Sequence, residues 1–264
     1  MEWLHIFFLA VIQGFTEFLP ISSSAHLVLV PKFLGWADQG LAFDVAMHVG
    51  TLIAILVYFK DDIVPLLRDL FASIKTRHVV GESTLAWAVL LGTIPVGLAG
   101  ITLNGVVETY MRSPLVIAYM TIFFGIVLYV ADRRAGAKET GHITLKIALF
   151  IGIAQAFALI PGTSRSGVTM SAAMLLGFSR VASAKFSFLL SIPVIVLAGG
   201  LKGLELIEAG VSVQWSMIVG AVVFSAISAY TCIYWFMGLI ARSSMIPFVI
   251  YRLMLGAVLF VLFV

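Results

Sequence analysis

Charge is what this sequence has least of. Asp, Glu, Lys and Arg make up 11% of its 264 residues, against about 25% in an ordinary soluble domain, which excludes a conventional water-soluble surface. Cysteine is nearly absent. Cys232 stands alone inside an apolar run, so one chain can build neither a disulfide nor a cysteine metal cluster. The opening MEWLHIFFLAVIQGF has no basic n-region and no small-residue cleavage site, which argues against a cleavable signal peptide. The net charge of +3 gives no ground for a nucleic-acid partner, because basic residues in an apolar chain chiefly set its orientation in a bilayer.

What fills the space is hydrocarbon: 61% of the residues are hydrophobic. The windows 84–103, 113–131 and 212–240 contain no charge at all, and each is long enough for a membrane-spanning helix of about 20 residues. The expected fold is therefore an all-α polytopic membrane protein in one domain, 1–264. Six spans are expected near 41–59, 84–103, 113–131, 184–201, 213–239 and 246–263. Two further apolar segments, 3–34 and 143–177, are interrupted at QGFTEFLPISSSAH (13–26) and PGTSRSG (161–167). Each half is about 15 residues, roughly 22 Å of helix, too short to cross. Both segments are read as re-entrant helical hairpins with tips in the membrane interior.

The hairpins look related. Gln13-Gly14-Phe15 recurs as Gln155-Ala156-Phe157, Pro20 as Pro161, and Ser23 as Ser164. One hairpin plus three spans in each half predicts two repeats, about 1–131 and 142–264, of opposite orientation. With the 60–83 segment inside, ten basic residues fall inside and only Lys32, Arg112 and Lys202 outside, which satisfies the positive-inside bias. The hairpin tips then enter from opposite faces and can meet. Lys146 and Arg252 lie near segment ends and are expected to snorkel; Arg165, at a tip, cannot. Asp61-Asp62 is read as solvated loop.

Irregular backbone at membrane depth persists only where it is buried in protein or lines a wet cavity. Pro20 ends the first half-helix and the serines after it cap the second; Pro161, Gly162, Thr163 and Ser164 do the same in the other hairpin. Two helix N-termini with hydroxyls and a glycine make an anion site suited to phosphate. Arg165 adds a planar fork that matches phosphate oxygens. Gln13 and Glu17 share one helix face, with Glu17 one turn from the tip. An acid beside a phosphate calls for a bridging hard cation held by oxygen ligands, and Gln13 and Glu17 are the candidate metal ligands. His26, one turn into the second half-helix, titrates near neutral pH. Together these groups form a set for phosphoryl transfer.

QGFTEFLPISSSAH and PGTSRSG resemble the two signature motifs of the undecaprenyl pyrophosphate phosphatase (bacitracin-resistance) family. FDVAMHVGTL (43–52), the length and the span count are similar too, so the resemblance covers essentially the whole chain. It implies removal of one phosphate from the C55 lipid diphosphate that carries cell-wall precursors, aided by Mg²⁺ or Ca²⁺, in the bacterial cytoplasmic membrane with the site open to the outer face. The family's acidic motif falls on Gln13 and Glu17, where many members have Glu at the first position. Its serine pair and histidine fall on Ser22, Ser23 and His26, and its arginine motif on Pro161 through Gly167, with Arg165 binding phosphate. Ser24 and Ala25 stand where threonine and glycine are common.

The expected roles follow. Glu17, Ser23, His26 and Arg165 are catalytic, with Ser23 attacking phosphorus while Glu17 or His26 takes its proton; attack by water stays open. Ser22, Ser24, Gly162, Thr163, Ser164, Arg165, Ser166 and Gly167 bind the diphosphate. The partners are the polyprenyl substrate and membrane lipids, not nucleic acid, with a homodimer left open. Each residue has a plainer reading: Arg165 pinning the tips through Glu17, serines as caps, His26 as an interhelical bond, Gln13 as a packing amide. Asp44 and His48, four apart, are read as an interfacial anchor, with a pair supporting the site from behind as the alternative. The rival function is a lipid-phosphate flippase or anion transporter of the same architecture, which needs no nucleophile and base; a lipid-binding scaffold leaves Glu17 and Arg165 unexplained.

Overall fold

A computed structural model describes residues 3–36, 40–208 and 214–263. Eleven α-helices follow one another: α1 (Trp3–Phe18), α2 (Ser23–Leu34), α3 (Leu41–Tyr58), α4 (Lys60–Thr76), α5 (Ser83–Tyr110), α6 (Pro114–Arg133), α7 (Leu145–Ala156), α8 (Arg165–Leu175), α9 (Arg180–Glu208), α10 (Trp215–Ile240) and α11 (Ile246–Phe263). Among the described residues the only β pairing is one isolated bridge, Lys138 with Phe178.

Among the described residues five helices are long and apolar enough to cross a membrane: Ser83–Leu103, Pro114–Arg133, Arg180–Leu206, Trp215–Ile240 and Ile246–Phe263. A sixth arises if α3 and α4, bent by 86° at Phe59, count as one. The chain is a multi-pass, all-helical membrane protein. The legs α1, α2, α7 and α8 are 16, 12, 12 and 11 residues long, and none of them matches the roughly 30 Å hydrocarbon core.

Segment 60–83 departs from expectation. Residues 60–76 are helix α4, and Asp62 pairs with Lys185 of α9 at 2.6 Å. The apolar spacing Ile63, Leu66, Leu70 buries one face of α4, while Val64, Leu67, Phe71 and Ile74 are exposed. That is the pattern of a helix lying along an interface. Asp69 closes its corner with α5. Its carboxylate accepts from Arg68 Nε and from the Glu82 amide, both at 2.9 Å. Those two bonds, Arg68's first, hold it below the usual carboxylate range.

Small residues set the helix crossings, as expected where lipid supplies no hydrophobic drive. A Cβ on Gly14 would stand 1.9 Å from Ser228 Oγ, so α1 touches α10 backbone to backbone. A Cβ on Gly152 would stand 2.2 Å from the Gly92 carbonyl, and α7 meets α5 in the same way. α3 packs on α9 and α10, and α6 on α11. An edge-on aromatic pair, Phe18–Phe188 at 5.2 Å, links α1 to α9, and another, Phe236–Phe248 at 5.3 Å, links α10 to α11. At one end, where the sequence placed most basic residues, Arg180 pairs with Asp132 at 2.5 Å and Lys138 donates to the Leu176 carbonyl.

Candidate active site

Both hairpin tips reverse the chain through a serine in a conformation serines avoid. Ser22 has φ 75° and Ser164 φ 70°, and each is followed directly by a new helix, α2 or α8. Non-glycine residues with positive φ cost of order 1–3 kcal/mol and gather at functional sites. In each tip the serine hydroxyl stands 3.2 Å from that of the serine two residues on, Ser24 or Ser166. Ser164 also accepts from the Gly167 amide at 3.2 Å and caps α8. The backbone therefore pairs Ser22 with Ser164, correcting the sequence pairing of Ser23 with Ser164 by one residue; Ser23 corresponds to Arg165.

Glu17 is the hub. It is 7% exposed, in the last turn of α1, and every contact it makes is with a group near a tip. Arg165 Nη2 donates to Oε1 at 2.5 Å. Ser23 Oγ donates to Oε2 at 2.7 Å, and Gln13 Nε2 to the same oxygen at 3.0 Å. His48 Nε2 of α3 stands 3.9 Å from Oε2. A buried carboxylate is tolerated only when it is paired and hydrogen-bonded, and this one accepts three hydrogen bonds, one of them from a guanidinium.

Glu17, Ser22, Ser23, Ser24, Ser164 and Arg165 open onto one cavity of about 170 Å³, whose other walls are His48, Val96, Ala158, Leu159 and Val194. A second hollow of about 180 Å³ continues from Glu17, His48 and Arg165 along Val45, Ala198 and Gly199 to Lys202. Both new helices begin at this cavity, so their free N–H groups and dipoles favour an anion there.

The other expected residues lie behind it. Thr163 is wholly buried, and Ser166 donates to the Leu19 carbonyl at 2.8 Å, stitching one tip to the other. Gly162 has φ 93°; a Cβ on it would stand 2.5 Å from the Ile117 carbonyl. Gly167 sits over Arg252. His26 faces away from Glu17. Its Nδ1 donates to the Ser22 carbonyl at 2.7 Å, and its Nε2 bonds Tyr251 Oη at 2.5 Å, with the rings stacked 5.7 Å apart. Arg252 overturns its expectation outright: it is 0% exposed and does not snorkel. Lys146 is exposed at the start of α7.

The fit of a divalent cation rests on the donor set. Among the described residues no three His, Cys, Asp or Glu side chains gather as metal ligands. Glu17 is the single carboxylate of the cavity. Gln13 Oε1 is buried without a partner, but so is Gln155 Oε1 in the hairpin that lacks an acid; the orphaned oxygen is a property of both hairpins and does not mark a metal. One carboxylate suits an ion that takes most of its ligands from substrate phosphates and water.

Three contributors fall outside the site residues expected from sequence. For His48 the anchor reading gives way to its alternative, a residue beside the site: Nε2 stands 3.9 Å from Glu17 Oε2. The fold turns its face of α3 to Glu17, and Nδ1 is fixed by the Asp44 carbonyl at 2.7 Å. Tyr251 and Arg252 are brought to the tips by the fold: Tyr251 meets His26 across 225 positions, and Arg252 meets Pro20 across 232 and Gly162 across 90.

The chain matches the family described as "Bacitracin resistance protein BacA" over residues 6–258. It is 60% identical over 264 residues to the undecaprenyl-diphosphatase of Campylobacter curvus, covering all of both chains. It is 62% identical over 263 residues to that of Campylobacter concisus, again over the full lengths. With undecaprenyl-diphosphatase 2 of Stutzerimonas stutzeri it shares 58% over 267 residues, all of this chain and 99% of the other. The chain belongs to the bacitracin resistance protein BacA family.

Proposed function

We propose that this protein hydrolyses undecaprenyl diphosphate to undecaprenyl phosphate and inorganic phosphate, returning the lipid carrier to peptidoglycan synthesis and conferring bacitracin resistance. The family and the names of its full-length relatives support the reaction. One observation carries the mechanism: Ser23, Glu17 and Arg165, from both tips, converge within hydrogen-bond distance in one cavity.

The chemistry follows from that contact. Ser23 Oγ already donates to Glu17 Oε2, so the carboxylate takes the proton as Oγ attacks the terminal phosphorus. The Oγ–P bond forms, the anhydride P–O bond breaks, and its electron pair leaves on undecaprenyl phosphate. The proton on Glu17 passes to the departing undecaprenyl phosphate oxygen, restoring the carboxylate; in the second half-reaction Glu17 deprotonates water, which attacks the phosphoserine, the P–Oγ bond breaks, and Ser23 Oγ takes that proton back from Glu17. The phosphate draws Arg165 from Glu17, freeing the carboxylate to act as base while the guanidinium and the α2 and α8 amides hold the phosphoryl oxygens. His48 completes the polar wall beside Glu17. His26, held by Ser22 and Tyr251, orients the α2 start. A divalent cation, Mg²⁺ or Ca²⁺, would be held by Glu17 and the diphosphate oxygens and would neutralise charge there.

The proposed topology is six spans and two re-entrant hairpins in an inverted repeat. The packing supports it: α1 lies on α10 as α7 lies on α5, and α3 meets α9 as α6 meets α11. The hollow leading to Lys202, a residue assigned to the outer side, supports an opening to the outer face of the bacterial cytoplasmic membrane. The test is phosphate release from polyprenyl diphosphate by detergent-purified protein, with phosphoserine trapped at Ser23. A protein that moves the lipid between leaflets but frees no phosphate would refute the reading.

A further inference from the structure

Arg252 is the largest fully buried side chain among the described residues, and the reaction above does not use it. Its partners are unusual. Nε donates to the Thr121 carbonyl at 3.1 Å, Nη1 to the Pro20 carbonyl at 3.2 Å, and Nη2 to the carbonyls of Gly162 at 2.8 Å and Met120 at 3.4 Å. Pro20 belongs to the first tip, Gly162 to the second, and Met120 and Thr121 to α6. Among the described residues no carboxylate pairs with it. The approach is built for it: a Cβ on Gly125 of α6 would stand 3.2 Å from the Cβ of Arg252.

A guanidinium is charged at any relevant pH, and burying one without a counter-ion is costly. Snorkelling would avoid that cost, yet the side chain turns inward. Its place accounts for this. Arg252 Nη1 and Ser164 Oγ both lie within 3.2 Å of the point where a Cβ would sit on Gly167, so the charge stands one layer behind the cavity wall. In the cavity Glu17 and Arg165 cancel each other. Arg252 is the charge left over, and the site expects an anion.

We propose that Arg252 is a positioning residue for diphosphate hydrolysis. It clasps the two tips through their carbonyls, which sets Ser23 against Arg165, and its uncancelled charge draws the diphosphate into the cavity. This rests on the site reading above. The planar fork matters as well as the charge, because an ammonium has neither the reach nor the geometry to hold carbonyls on three elements at once.

Arg252→Met and Arg252→Lys in the full-length protein, purified in detergent beside Arg165→Ala, test it. The readouts are kcat and KM for a polyprenyl diphosphate, inhibition by inorganic pyrophosphate, and thermal unfolding. The methionine variant is expected to lose about 100-fold in kcat/KM, as misplacement by about 1 Å does, and to need about tenfold more pyrophosphate for half-inhibition, the worth of one charge-assisted contact. The lysine variant is expected to keep pyrophosphate inhibition near wild type while losing about tenfold in kcat. A methionine variant whose unfolding temperature alone falls, with kcat, KM and pyrophosphate inhibition intact, overturns the proposal. If the methionine variant does not fold, a lysine variant with wild-type kcat overturns it. Full activity of Arg165→Ala would instead sink the site reading, so the two failures are distinct.

Discussion

The two hairpins share a turn through a positive-φ serine and, on the proposed mechanism, divide the chemistry. Each carries a buried glutamine nine residues before a positive-φ serine, Gln13 to Ser22 and Gln155 to Ser164. Each then starts a helix in the cavity. Two of the side-chain differences bear on the cavity. Where the first hairpin has Glu17, the same distance past its glutamine brings the second to Leu159; where the first has Ser23, the second has Arg165. A symmetric pair of acids would repel, and a symmetric pair of arginines would hold phosphate without attacking it. On the proposed mechanism the asymmetry puts base and nucleophile on one tip and the phosphate clamp on the other. The glutamines show the same division: Gln13 donates to Glu17, while Gln155 reaches only the Gly92 carbonyl at 3.5 Å.

Breaking the division at its centre should have the largest effect. Glu17→Ala and Arg165→Ala should each abolish phosphate release, by more than about 1,000-fold, with the helix content seen by circular dichroism unchanged. Retained turnover in purified Arg165→Ala would show that the second hairpin is scaffold. Ser23→Ala should remove the trapped phosphoserine together with activity. Its counterpart Ser164→Ala should keep phosphoserine formation and cost about 1 kcal/mol of stability from the lost cap, read by thermal unfolding. Equal kinetics for the two serine variants would erase the distinction between the tips.

Smaller effects sharpen it. His48→Ala, which leaves every tip residue in place, should lower kcat about tenfold; an unchanged kcat would return His48 to a wall residue. Gln13→Ala should reduce activity more than Gln155→Ala, because only Gln13 orients the carboxylate, and the ratio of the two kcat/KM values measures this. The smallest effect lies far from the tips. Asp69 is held below its ordinary range, so its bonds to Arg68 and Glu82 stabilise the α4–α5 corner above that range and are lost as pH falls through the lowered value. Hydrogen exchange at the Glu82 amide should quicken on acidification, and Asp69→Asn should show less of that pH dependence.

Most of the site was legible because its residues are polar in an apolar chain. Glu17, Ser22, Ser23, Ser24, Ser164 and Arg165 stood out for that reason, and the structure brings them to one cavity. Residues the sequence grouped with them by adjacency, Gly162, Thr163, Ser166 and Gly167, turn their side chains or Cα atoms into protein instead. A tip has two sides, and motif spacing does not say which one faces the hollow. Helix α4 was passed over because its charges looked like loop, although its apolar period was present.

Sequence alone determined that the chain lies in a membrane, where it breaks its helices, and which tip holds the acid and which the arginine. These follow from hydropathy, proline and residue type, all local properties. Only the tertiary structure decided that His48 faces Glu17, that His26 turns to Tyr251, and that Arg252 is walled in against both tips. Those outcomes depend on the rotation of α3 and α11 about their axes. In lipid, small-residue contacts such as Gly14 on α10 and Gly125 against α11 set helix packing, and a linear pattern of apolar residues does not encode which face they turn inward.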